Sequence, residues 1–223
     1  MKLDLSVPTF VAVGSFNSAI FQPPWVALHL FEKPSGADVN LIQAITGNFG
    51  APLRNYIDNV GISVTSNRFE VIPNDLSGST KSTAEKVFAN LFSKLPHTPV
   101  SAVGINFQFT LEDPSTFILD TLRSTDGFDA LYSGLKEERL QSVVAHSSGV
   151  DLNFGRGVRE GIASFSFNYN HAPFTPSMVS TLHGSIERLL EESLKTLDSL
   201  YGLREYEISG MNFSNPIDVV QNG

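Results

Sequence analysis

The run Pro99-Val100-Ser101-Ala102-Val103-Gly104-Ile105-Asn106-Phe107-Gln108-Phe109-Thr110-Leu111 decides the fold. From Val103 onward the apolar residues Val103, Ile105, Phe107, Phe109 and Leu111 fall on one side, and Asn106, Gln108 and Thr110 on the other. A period of two sends alternate side chains to opposite faces of a strand, whereas a helix would scatter them. A half-buried strand is therefore predicted over 99–111, with helices to cover its apolar side.

Just upstream, Ala84, Val87, Phe88, Leu91, Phe92 and Leu95 recur at i, i+3, i+4, i+7, i+8 and i+11, the stripe of an amphipathic helix. Ser82 and Glu85 have capping-box spacing at its start, and Pro96 ends it. Earlier still, Ile62 and Val64, then Phe69, Val71 and Pro73, flank a turn at Ser66-Asn67 and predict a hairpin over 60–74. Residues 25–31, after the breaker Pro23-Pro24, read as a short apolar strand, and Val39, Ile42, Ile45 and Phe49 give a weak helix over 36–50. The resulting order of strand, helix, two strands, helix and strand is that of a split βαβ unit.

Downstream, Phe117, Ile118 and Leu122 predict partial helix within 114–134, broken at Asp126-Gly127. A hairpin is expected from 140–146 and 150–154 across Ser147-Ser148-Gly149, then a turn at Gly155-Arg156-Gly157 and a strand over 162–170. A long helix over 176–201 closes the pattern, with Thr175 as N-cap, Pro176 at N1 and Gly202 past its end. The expected class is α+β: a mainly antiparallel sheet with amphipathic helices on one face, compatible with two fused ferredoxin-like halves. The division is an N-terminal half at 1–113, a hairpin-plus-helix half at 114–210 sharing the core, and a tail at 211–223.

Composition narrows the chemistry. With 41% apolar residues and 17 Phe among 223 residues, the chain can bury a substantial core. A net charge of −8 makes nucleic acid an unlikely partner, since phosphate binding draws on Lys and Arg. Zero cysteines remove disulfides, thiolate catalysis and cysteine zinc sites. No stretch approaches 18 consecutive apolar residues, so no membrane association is expected and the cytoplasm is the default compartment.

Catalytic and cofactor motifs are weak. Gly155-Arg156-Gly157 with Gly161 lies between strands without a following helix or Lys-Ser/Thr pair, so a hairpin turn is favoured over a phosphate loop, with Arg156 and Arg159 kept as anion contacts. His29, His97, His146, His171 and His183 show no His-x-x-x-His spacing, and no metal or cofactor is expected. His146 and His171, near strand ends, are the candidate acid–base residues. Asp120, Asp126 and Asp129 lack the ligand alternation of a calcium loop.

The least ordinary feature is the polar side of the strands. Asn106, Gln108 and Thr110, Ser164, Ser166, Asn168 and Asn170, and Asp151 with Asn153 are nearly all uncharged hydrogen-bonders. Solvated strand faces more often carry Lys, Glu and Arg. Amide and hydroxyl groups exchange hydrogen bonds without the desolvation cost of full charges, so this face is the candidate binding surface.

Pro23-Pro24-Trp25-Val26, Ser66-Asn67-Arg68-Phe69 before an amphipathic helix, Val103-Gly104-Ile105-Asn106-Phe107, and the late strand with its long helix together resemble a sporadically distributed family of uncharacterised bacterial proteins of about this length. The resemblance covers roughly 20–200. The family's mid-chain strand runs Gly-Leu-Arg-Tyr-Ile-Asn; this chain has Asn106 in place of the Arg and Phe109 in place of the Asn. What the resemblance implies is a bacterial cytoplasmic accessory protein, with no catalytic residues to carry over.

The leading expectation is a non-enzymatic binding or assembly protein that forms a homo-oligomer or docks a protein partner through the polar strand face. A nuclease or hydrolase on a tandem ferredoxin-like frame, and a phage or virion structural component, are the alternatives.

Overall fold

The alternation over 99–111 becomes β6 (Val100–Leu111), whose Val103, Ile105, Phe107 and Phe109 are buried while Asn106, Gln108 and Thr110 stay half-exposed. It is the spine of a computed structural model that describes residues 1–34, 54–123, 137–147 and 149–209. Before it come β1 (Lys2–Asp4), β2 (Phe10–Gly14), a 3-10 turn (Ser18–Ile20), α1 (Pro23–His29), β3 (Arg54–Ile57), β4 (Val60–Val64), β5 (Arg68–Pro73) and α2 (Gly78–Lys94). After it come α3 (Thr116–Leu122), β7 (Glu137–Ser147), β8 (Val150–Arg159), β9 (Ile162–His171), a 3-10 stretch (Pro176–Leu182), α4 (Ser185–Tyr201) and β10 (Glu207–Ser209). The class is α+β, and among the described residues no helix is long and apolar enough to cross a membrane.

The described strands form one sheet in the order β3-β4-β5-β2-β6-β9-β8-β7, with β1 on β6 and β10 on β1. All neighbours are antiparallel except β1 and β10. β6 and β9 pair along nine positions, from Val103 opposite His171 to Leu111 opposite Ala163, and join the two parts of the chain. The second part does not repeat the first: β7, β8 and β9 follow one another as a plain meander.

One face of the sheet holds the aromatic core. Phe10 of β2 stacks on Phe88 of α2 with centroids 4.7 Å apart, Phe69 of β5 lies beside the same ring, and Tyr169 of β9 donates from its hydroxyl to the Leu189 carbonyl of α4. Each fully buried ring contributes about 1.5–3 kcal/mol relative to exposure. Phe107, Phe109, Phe165 and Phe167 continue this layer, and Ile118 and Leu122 of α3 join it.

Four expectations are corrected. Residues 25–31 are not a strand: Pro23 and Pro24 occupy the first helical positions of α1, where a missing N–H costs nothing. The cap of α2 is Ser77, whose hydroxyl accepts the Thr80 N–H at 3.3 Å, and Glu85 turns inward instead of closing a box with Ser82. Gly155-Arg156-Gly157 is not a turn; β8 runs through it to Arg159, and the reversal is at Glu160-Gly161, both with positive φ. The helix over 176–201 is divided: a 3-10 stretch ends at Leu182, Gly184 takes φ 67°, and α4 starts at Ser185.

Glu85 explains where α4 begins. Its buried carboxylate accepts the backbone N–H of Gly184 at 2.7 Å and of Ile186 at 3.0 Å, satisfying donors that a helix start leaves open. β1, β2, β3 and β10 lie in segments where the sequence pattern predicts no strand. The weak helix over 36–50, the Asp126-Gly127 break and the tail at 211–223 lie outside the described residues.

Candidate ligand-binding face

Strand registry turns the polar residues into rows. Gly104, Asn170 and Asp151 form one row with Ala145; Asn106, Asn168 and Asn153 a second with Val143; Gln108, Ser166 and Gly155 a third with Gln141; and Thr110, Ser164 and Gly157 a fourth with Arg139. All nine binding-face residues predicted from sequence therefore lie on one side of β6, β9 and β8. The side chains are half-exposed or exposed, so nothing in the described chain covers them fully.

The second row is a hydrogen-bonded amide ladder. Asn153 Nδ2 donates to Asn168 Oδ1 at 3.0 Å, Asn168 Nδ2 to Asn106 Oδ1 at 2.6 Å, and Asn106 Nδ2 to the Pro8 carbonyl at 3.0 Å. The last acceptor sits in the loop between β1 and β2, both of which pair with β6. Each amide is thus fixed in orientation, with remaining donor and acceptor capacity for a ligand.

Beside the ladder lies a recess of about 400 Å³, lined by Gln108, Arg139, Gln141, Asn153, Ser164 and Ser166 among others. Its floor is low because the chain carries glycine and serine there. A Cβ on Gly155 would sit 2.4 Å from Ser166 Oγ, and one on Gly157 would sit 2.2 Å from the Glu138 carbonyl. These close approaches explain two glycines inside a strand. Arg139 stands at the rim, paired with Glu137 at 2.5 Å. The recess can accept and donate hydrogen bonds along two rows, and the charged residues in its lining are Arg139, paired with Glu137, and Arg156.

The two anion candidates are not brought together. Arg156 belongs to the recess lining, but its guanidinium turns to the helix side of β8, 5.1 Å from the centroid of the Phe154 ring, while Arg159 is exposed at the strand end in phase with the glycines. Arg139 and Gln141, which line the recess, escaped the sequence reading. Their signal was the alternation of Arg139, Gln141 and Val143 in phase with Asn153 across the hairpin.

His146 and His171 sit on the opposite, helix-covered face. His146 follows Val144 by two positions and so keeps to the same helix-side face, as the extra residue of the register shift between Ala145 and Ser147, and its ring packs edge-on against Tyr169 with centroids 5.2 Å apart. His146 Nε2 is 2.5 Å from Glu192 Oε1 of α4, and its Nδ1 is buried with no hydrogen bond among the described residues. His171 is buried; burial, then the nearby charges of Arg188 and His146, hold its imidazole below the ordinary value. Burial also pushes the Tyr169 hydroxyl up to about 12, and that hydroxyl lies 3.1 Å from Ser193 Oγ. Glu192 escapes a sequence reading as a partner because a charged residue between the apolar positions of the last helix resembles its solvated side. Among the described residues no group of three or more His, Asp or Glu is placed to hold a metal ion.

In comparisons with known proteins, no family model matches the chain and no curated protein matches it.

Proposed function

We propose that this is a non-enzymatic binding protein that holds the polar surface of a protein partner on the β6-β9-β8 face. The observation that carries the reading is the pre-oriented amide ladder beside a recess of about 400 Å³ lined mostly by uncharged hydrogen-bonding side chains. Groups fixed before binding lose little freedom when a partner arrives, and neutral amides shed water at lower cost than ions. Among the described residues the cations at this face are few, Arg139 is paired with Glu137, and so small a positive charge argues against nucleic acid.

The same proposal places the protein in a bacterial cytoplasm, following the family resemblance carried by Pro23-Pro24-Trp25-Val26 and Val103-Gly104-Ile105. It also reads the order β4-β5-β2-β6, with α1 and α2 in the connections, as a ferredoxin-like half; that frame hosts many activities and adds no site argument.

The test is photo-crosslinking in cells of the source organism, with a photoreactive residue in place of Ser164, which lines the recess from β9 and lies away from the β7 edge. A discrete protein adduct is expected, lost when Ser166→Lys or Gln108→Lys fills the recess. Finding no adduct, or one indifferent to both lysines, would refute the reading.

A further inference from the structure

Among the described residues the sheet order ends at β7, an eleven-residue strand reading Glu-Glu-Arg-Leu-Gln-Ser-Val-Val-Ala-His-Ser. The opposite end of the sheet is β3, with four residues. A long edge strand offers a row of backbone N–H and C=O groups to another chain, and proteins usually blunt it with charges, Pro, bulges or brevity; in β7 the charges stop at Arg139 and the bulge comes after Ala145, which leaves Leu140 to Ala145 unguarded. β7 contains neither Lys nor Pro. It exposes Val143 at 63% and Val144 at 53%, one on each face of the sheet.

We infer that β7 pairs antiparallel with β7 of a second copy of this chain, about a twofold axis at Ser142. The sequence of the strand selects both the direction and the register. A parallel pairing would set Glu137 and Glu138 of the two copies side by side, whereas the antiparallel one sends them to opposite ends, roughly 30 Å apart at 3.3–3.4 Å per residue. Overlap of the whole strand places Ser142 opposite the partner's Ser142, Gln141 opposite the partner's Val143, Leu140 opposite the partner's Val144, and Arg139 opposite the partner's Ala145. No like charges meet, and each contact occurs twice, as a closed twofold interface requires. Leu140 and Val144 share the helix-side face, so the exposed Val144 gains an apolar neighbour. The regular stretch of β7 runs to Ala145, where the register shift ends it, so Arg139 to Ala145 is symmetric about Ser142.

The pairing would continue the polar face across the axis and bring the two recesses, each lined by Arg139 and Gln141, to either side of one seam. It does not depend on that face binding anything: β7 pairs through its backbone whether or not the recess is filled. Two paired strands make a small interface, so the dimer is concentration-dependent.

The chain has no cysteine, which makes the test clean. Cα atoms directly opposite each other in an antiparallel pair are about 4.5–5.5 Å apart, within the span of a disulfide. Sedimentation velocity of the full chain should show a monomer–dimer equilibrium. Ser142→Cys under mild oxidation should give a covalent dimer about ten-fold faster than Ile162→Cys, an exposed control away from the edge. The double variant Val143→Lys/Val144→Lys should weaken dimerisation by about ten-fold, on the scale of 1.4 kcal/mol, with its circular dichroism unchanged. Ser166→Lys should leave dimerisation unaltered, which separates this interface from the partner-binding face. A wild-type chain monomeric at every concentration would overturn the inference, as would a Ser142→Cys chain that cross-links no faster than the control. Either result would mean that another segment of the same chain, or nothing, covers β7.

Discussion

β4 and β9 are both inner strands of one sheet, yet they are buried in different ways. In β4, Val60, Gly61, Ile62 and Ser63 are buried in succession, and in β5 Val71, Ile72 and Pro73 follow suit. In β9 burial alternates: Ala163, Phe165, Phe167, Tyr169 and His171 are buried while Ser164, Ser166, Asn168 and Asn170 reach solvent. The first region is covered on both faces and the second on one. A two-sided core leaves no room for a ligand, so the binding surface belongs to the half of the sheet where the period of two is unbroken.

The comparison can be broken most severely in the shared aromatic layer. Phe69→Ala should destabilise by about 3–5 kcal/mol, because Phe16, Phe21 and Phe88 all pack on that ring. Chemical denaturation measures it, and a loss below about 1 kcal/mol would mean the layer re-packs. Gly157→Ala should cost about 1–3 kcal/mol, since its new methyl meets a backbone carbonyl that cannot rotate away. Gly155→Ala should cost less, because the obstacle is the hydroxyl of Ser166, which can turn. Equal costs at the two glycines would contradict the described packing of β7 on β8.

Removing the carboxylate that starts α4 is expected to cost about 1–3 kcal/mol in Glu85→Ala, with amide exchange rising first in the opening turn of α4. A smaller effect is expected from pH. His171 has a lowered folded-state value, so the unfolded chain binds its proton more readily. Its contribution is fully present above the ordinary histidine value, and stability falls as pH drops through about 6.5 toward the lower folded value. His171→Leu should flatten that decline in denaturation midpoints taken between neutral and mildly acidic pH; an unchanged slope would assign the decline to other groups. The smallest effect is expected from Ser166→Lys, within about 0.5 kcal/mol of wild type because the site is exposed. A larger loss would show that the polar face serves the fold rather than a partner.

The same contrast explains what could be read from sequence. β6 and β9 were legible because alternation records a face that meets water, and all nine polar-face positions follow from it. β8 was cut short because glycines signal turns when neighbours are unknown, and only the cross-strand contact of Gly155 with Ser166 shows why they sit in a strand. α1 reads as a strand because a seven-residue run with six apolar members carries too little period to separate the two, and Pro23-Pro24 serves a helix start as well as a break. The amide ladder was half visible. Its members were named, but their registration, and the closure on Pro8, depend on strand pairing that no local pattern encodes. The His146–Glu192 contact was hidden for the same reason, being made between residues 46 positions apart.

Glu85 bears on how the chain is made. As synthesis proceeds, α2 and its hairpin emerge long before Gly184 and Ile186, which lie 99 and 101 residues further on. Until they arrive, this carboxylate stays hydrated at a surface not yet closed, since burying it alone would cost several kcal/mol. The last helix is therefore both the lid of the aromatic layer and the signal that the layer can shut, and a nascent chain stopped before residue 184 holds its first half open.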